Sequence, residues 1–259
     1  MFVARRKPRL PAASRTEGTG IPLDAIPDHV AVAVPDFDVA DRRWRDQLGG
    51  RWVSWYHNKP GGFRSRQLKF RGGAKLELLQ PSEVDPSPDN FVRAFLARHS
   101  ATVHHVTLKV PSLAEAVKRS RAAGFDVVGV NVASERWKEA FLRPSEVGGV
   151  VVQLAQSPND DGDWAAMHDY QPQEPGPDAA RLRGARLTHR NLDRSTETWS
   201  FLGADVAVTA DRLVVRWPGQ PLALEIVADE GPPRPLGVVM EGCGPLDPHP
   251  DLGPAVLVP

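Results

Sequence analysis

The chain has 259 residues, with 32 basic and 32 acidic side chains and a single cysteine. That length can bury a sizeable core in one large domain or two smaller ones, and the balanced charge gives no global field for nucleic acid or an anionic membrane. The lone Cys243 excludes an intramolecular disulfide framework and a Cys-rich zinc site and reads as an inert thiol, and no apolar run reaches the ~20 residues that span a bilayer.

Residues 1–20 carry Arg5, Arg6, Lys7 and Arg9 without the apolar stretch of a secretory signal. Residues 1–23 therefore read as a disordered basic tail, and the chain is expected to be cytoplasmic. Residues 27–34 alternate as a strand that Pro35 stops. Asp36 can cap the following helix, whose apolar stripe is Val39, Trp44 and Leu48 and which Gly49-Gly50 closes. Strands follow at 51–57, 63–71 and 74–80, separated by the turns 59–62 and 72–73. The order is βαβββ.

A proline-rich loop and a short helix at 89–99 lead into a second copy of the unit. Its strand is 103–110, its helix runs from a capping box at Ser112 and Glu115 to Ala123, and its last strands are 125–130, 137–142 and 149–155. Residues 158–180, rich in Pro, Asp and Gly, read as a linker. Beyond it, 186–191, a helix at 194–201, and strands at 205–208, 212–217 and 222–227 suggest a degenerate third unit. Residues 236–240 could supply one more strand but not a full fourth module. The fold class is α+β: paired βαβββ modules at about 24–81 and 101–157 forming a curved mixed-sheet cup, with a degenerate half domain over 181–259.

Both complete modules open on a strand with a histidine near its head, His29 in Asp28-His29-Val30-Ala31-Val32 and His105 in Val103-His104-His105-Val106. A repeated side chain at one point of a repeated strand suggests a site built between two copies of one module. The first and last strands of a module lie side by side in a curved sheet, so His29 can meet Glu77, and His105 can meet Gln153. With the copies related by a pseudo-two-fold axis, two imidazoles, a carboxylate and an amide oxygen converge. That set suits one divalent cation, Zn, Co, Ni, Mn or Fe(II), with room for exchangeable water. Alternation along the strand turns His104 away from the site.

The segments 28–36, 75–81, 103–106 and 141–154 resemble corresponding segments of the vicinal oxygen chelate superfamily, which includes glyoxalase I, methylmalonyl-CoA epimerase, extradiol dioxygenases and bleomycin-resistance proteins. The epimerase-like members are the most similar. The resemblance covers about 130 residues and implies that His29, Glu77, His105 and Gln153 are the metal ligands. It also sets departures. Epimerases and glyoxalase carry glutamate where Gln153 stands, and the other epimerase carboxylate falls near Gln67. An amide takes no proton at neutral pH, so a base must come from elsewhere. Glu139, on the strand beside Gln153, is the candidate, with Tyr56 and Gln67 as further catalytic positions. Trp55, His57, Arg64 and Trp137 are candidate substrate contacts.

The implied function is a divalent-metal-dependent enzyme that chelates a small oxygenated substrate, such as a 2-oxo acid or acyl-CoA. It would stabilise an enolate-like intermediate for isomerisation, epimerisation or lyase chemistry. The alternatives are an Fe(II)-dependent dioxygenase and a metal-free small-molecule binding or resistance protein. The expected partner is a small molecule, not nucleic acid or membrane, with a homodimer possible.

Overall fold

A computed structural model describes residues 21–59, 62–82, 87, 90–167, 171–209 and 211–259, with backbone alone for 55–59. The basic stretch 1–20 lies outside the described residues. Leu23, read as part of that tail, is buried, and its N–H donates to the carbonyl of Phe201 at 2.7 Å.

The first half forms one eight-stranded mixed sheet. Its strands are β1 (Ile26–Ala33), β2 (Arg51–Lys59), β3 (Phe63–Lys69), β4 (Lys75–Pro81), β5 (Val103–Lys109), β6 (Val127–Asn131), β7 (Lys138–Leu142) and β8 (Val151–Gln156), in the order β2-β3-β4-β1-β5-β8-β7-β6. The two central strands, β1 and β5, run antiparallel, and each is parallel to the last strand of its own module. Alternation gives β1 two faces. Val30 and Val32 join the main core, while the small Ala31 and Ala33 leave space on the concave face for Val92 of helix α2 (Phe91–His99).

The expected 36–48 helix forms in two parts. Asp36 caps α1 (Phe37–Asp41) by accepting the Val39 N–H at 2.9 Å, and Arg42–Gln47 continues as a π-helical stretch. The wider turn rotates the stripe, so Phe37, Ala40 and Trp44 are buried and Val39 is only half-buried. It also buries Arg43, which donates to the carbonyls of Asp247, Gly253 and Pro254 at 2.8, 3.2 and 2.8 Å. Trp44 Nε1 donates to Leu252 O at 2.8 Å. The C-terminal stretch is thus fastened across this helix. Helix α3 (Leu113–Ala122) begins at the expected Ser112 cap, and a short helix, α4 (Pro144–Val147), joins β7 to β8.

The stretch 158–180 contains helix α5 (Asp161–Met167) rather than linker alone. A second, six-stranded sheet follows, with β9 (Arg181–His189), α6 (Leu192–Phe201), β10 (Asp205–Val208), β11 (Arg212–Arg216), β12 (Ala223–Ala228), β13 (Pro235–Glu241) and β14 (Val256–Leu257). Its order, β10-β11-β12-β9-β13-β14, repeats the first six positions of the large sheet. β13 pairs antiparallel with β9 as β5 does with β1, and β14 pairs parallel with β13 as β8 does with β5. The tail therefore supplies the first and last strands of a fourth module without its helix or its two middle strands. Both sheets share one apolar core, in which Trp44, Trp199, Phe70 and Leu154 are fully enclosed. Among the described residues no helix is long and apolar enough to cross a membrane.

Burial pushes the Asp41 carboxyl up to about 6, against the pull of Arg45 3.1 Å away. A carboxyl raised on folding favours the folded state only while protonated, so stability falls as pH rises from the unfolded value of 3.8 through about 6. Asp41→Asn is expected to remove that decline and to stabilise the protein by about 1–2 kcal/mol at pH 7.5 but not at pH 4. Urea denaturation at the two pH values checks it, and an equal effect at both would contradict it.

Candidate metal centre

The site is organised by two irregularities in the β1–β5 pair. Pro27 lies opposite Leu108 and His29 opposite Thr107, so Asp28 is an extra residue. Ala31 lies opposite His105 and Val32 opposite Val103, so His104 is the extra residue on the other strand. Each β-bulge sits immediately before a histidine and turns the preceding side chain toward it. Asp28 Oδ2 lies 2.7 Å from His29 Nδ1, and His104 Nδ1 lies 2.9 Å from His105 Nδ1. The expectation that His104 turns away is thus corrected: alternation fails at a bulge.

Nε2 of both histidines faces Glu77, which β4 presents from the neighbouring position. Glu77 Oε2 is 3.4 Å from His29 Nε2 and 3.6 Å from His105 Nε2. One donor atom from each of the three buried residues lies within 4.8 Å of the others. Around a cation with ligand bonds of about 2.1 Å, neighbouring donors stand about 3.0–3.4 Å apart; the 3.4 and 3.6 Å separations lie at or just beyond the top of that range, and the nitrogen–oxygen donor set suits a divalent ion. Gln153 reaches the same place: its Oε1 accepts the Thr107 hydroxyl at 2.6 Å, and that hydroxyl is 2.9 Å from His29 Nε2. Gln67 Nε2 is 3.3 Å from His29 Nδ1.

Ion pairs line one end of the cup. Lys75 Nζ lies 3.2 Å from Asp28 and 2.8 Å from Asp161 of α5, and Lys109 Nζ lies 3.4 Å from Asp28. Burial opposes the charge on Asp28, but Lys75, His29 and Lys109 together hold its carboxyl well below the usual range. Burial likewise opposes a proton on His29, but Glu77 and Asp28 outweigh it and raise the imidazole pKa. A positive group is therefore favoured between these two carboxylates, whether imidazolium or a bound cation. The opposite end is apolar: His104 packs against Phe91 and Phe95, and burial pushes its imidazole down to about 4.

The other sequence candidates separate. Glu139 faces the cup, its Oε2 accepting from Gln153 Nε2 at 2.7 Å and from Trp137 Nε1 at 2.9 Å. Trp137 also meets Trp164 of α5 edge to face at 6.4 Å. Arg64 does not reach the site. It is on the outer face of β3, its guanidinium 5.6 Å from the Phe37 ring, because it stands three positions from Gln67, an odd step along the strand. Trp55, Tyr56 and His57 lie on β2, and their side chains lie outside the described part of the structure. Sequence reasoning missed Asp28, Thr107 and Lys75. Only the Asp28-His29 and His104-His105 adjacency hinted at the bulges.

The second sheet repeats this frame without its nitrogen donors. Bulges fall at Arg183 and Leu236, the counterparts of Asp28 and His104. Gly184 and Gly237 follow them where His29 and His105 stand, and Leu257 takes the place of Gln153. Glu225 keeps the position of Glu77, opposite Arg186. Arg186 and Arg212 donate to it at 2.6 and 3.0 Å, so guanidinium groups neutralise that carboxylate.

Residues 28–141 match the model of the Glyoxalase/Bleomycin resistance protein/Dioxygenase superfamily. The mitochondrial methylmalonyl-CoA epimerase of Mus musculus is 34% identical over 136 residues, 50% of this chain and 72% of that protein. The ethylmalonyl-CoA/methylmalonyl-CoA epimerase of Cereibacter sphaeroides is 29% identical over 134 residues, 50% of this chain and 96% of that one. The crystal structure of methylmalonyl-CoA epimerase from Mycobacterium tuberculosis is 26% identical, covering 51% of this chain and 88% of its own, with a TM-score of 0.46.

Lys75→Met would leave Asp28 buried with Lys109 as its remaining cation on that side. The expected cost is about 2–4 kcal/mol in urea denaturation, with part restored when Asp28→Asn is added to the same chain. Strictly additive losses would show that the pair is not coupled.

Proposed function

The chain belongs to the glyoxalase/bleomycin resistance protein/dioxygenase superfamily, and we propose that its cup is a divalent-cation centre for proton removal beside the carbonyl of an acyl-CoA or 2-oxo acid. The observation that carries this reading is the buried convergence of His29, Glu77 and His105, with donor atoms within 4.8 Å of one another. The names of the relatives, methylmalonyl-CoA and ethylmalonyl-CoA/methylmalonyl-CoA epimerases, support the acyl-CoA class. Zn, Co, Ni, Mn and Fe(II) all suit two imidazoles and a carboxylate.

When bound, such a cation supplies polarisation of a carbonyl and stabilisation of the charge that develops on its oxygen. The protein supplies the rest. Glu139 is the base. Trp137 and Gln153 both donate to its Oε2, which fixes the carboxylate at the edge of the cup while Oε1 takes part in neither bond. Gln153 and Gln67 hold substrate or ligand in register but accept no proton at neutral pH. A single carboxylate that takes and returns a proton on one face favours isomerisation, lyase chemistry or proton exchange over inversion by two bases. Helix α2 at one end and α5 at the other shield the cup from water, which strengthens the electrostatic interactions within it.

Protein loaded with Mn(II), Co(II) or Zn(II) is expected to exchange deuterium from D2O into the carbon beside the carbonyl of methylmalonyl-CoA or a 2-oxo acid, read by mass spectrometry. His105→Ala should lose both metal and exchange. Glu139→Gln should keep the metal and lose roughly a hundred- to ten-thousand-fold in rate. Exchange that survives both EDTA and His105→Ala would overturn the reading.

A further inference from the structure

We infer that Asp28 and His104 are paired positioning residues that aim His29 and His105 at the cation, each acting through Nδ1 from a β-bulge. The inference rests on the metal reading above and goes beyond it by assigning the groups that fix the two rings.

Three observations carry it. First, both contacts are made to the same ring atom: Asp28 Oδ2 to His29 Nδ1 at 2.7 Å, and His104 Nδ1 to His105 Nδ1 at 2.9 Å. A hydrogen bond at Nδ1 holds each ring so that Nε2 turns toward Glu77, on the side where Thr107 also meets His29 Nε2 at 2.9 Å. Second, neither contact would form on a regular strand, where neighbours face opposite sides. The register slips by one residue at Asp28 and again at His104, and nowhere else in the β1–β5 pair. Third, the second sheet acts as an internal control. It keeps both bulges, with Arg183 and Leu236 at them, but has glycine after each. There Arg183 turns instead to Glu241, 3.4 Å away. The bulge is thus a property of the fold, whereas the Nδ1 partner accompanies the ligand histidine.

The two partners differ in strength. Asp28 is an ionised acceptor anchored by Lys75 and Lys109, which makes its hold on His29 charge-assisted. His104 meets His105 Nδ1 through its own Nδ1 and is held by Phe91 and Phe95, whose ring centroids lie 5.7 and 4.7 Å from its own. Asp28 is therefore expected to matter more.

The test is Co(II) affinity of the full chain, measured by competition with a chelating dye, with the visible Co(II) spectrum as a second readout. Asp28→Ala should weaken Co(II) binding about 10- to 100-fold and Asp28→Asn, which keeps an acceptor oxygen, markedly less. His104→Phe, which keeps the aromatic packing, should weaken it by a smaller factor and alter the spectrum. Rescue by Asn separates positioning from a general loss of folding, which a urea curve on each variant monitors. Co(II) binding unchanged in Asp28→Ala and His104→Phe, with the wild-type chain binding normally, would overturn this inference alone. A wild-type chain with no saturable Co(II) binding would overturn the metal reading as well.

Discussion

Everything in the site hangs on the antiparallel pairing of β1 with β5. That pair lies at the middle of the large sheet and relates its two halves, so residues far apart in the chain meet across one ladder. It places His29 and His105 with ring centroids 5.6 Å apart, and β4 inserts Glu77 between their inner nitrogens. A carboxylate buried to this degree needs a positive neighbour. The imidazoles supply it when protonated, and a divalent cation could supply it more completely.

The rest of the molecule keeps that arrangement dry and fixed. One face of the sheet is committed to the shared apolar core, leaving only the concave face for chemistry. Small alanines on β1 let α2 approach closely, and the Lys75 ion pairs tie α5 to the bulge residue Asp28. The second sheet packs on the other face, through the shared core. Its contribution is to the helices on the outer face, through the shared core and the carbonyls that receive Arg43 and Trp44.

Much of this was legible in the chain itself. The histidine-headed strands and their βαβββ surroundings repeat in sequence, and the structure brings His29, Glu77, His105 and Gln153 together as the repeat suggests. What escaped has physical causes. Asp28 and His104 were hidden because alternation presumes an unbroken register. Arg64 faces outward because it is out of phase with Gln67 along β3, and its guanidinium lies 5.6 Å from the Phe37 ring on that side. Helix α5 is short and rich in Asp and Gly, so its local pattern is weak; it is held by Lys75 and Trp137 from elsewhere in the fold. The half-module formed by β13 and β14 lacks the helix by which its counterpart was recognised.

Gly184 carries one more meaning. Its φ of +138° belongs to glycine, and a Cβ there would sit 1.7 Å from the carbonyl oxygen of Ala223 on the adjoining strand. Where the large sheet accommodates an imidazole, the smaller one has closed its backbone over the space. Restoring a histidine by point mutation would therefore split the β9–β12 ladder before any donor atom could be aimed. The smaller cup is not a dormant second centre awaiting one substitution. Its loss is written into the main chain, and an engineer seeking a two-centre protein would have to rebuild the strand path first.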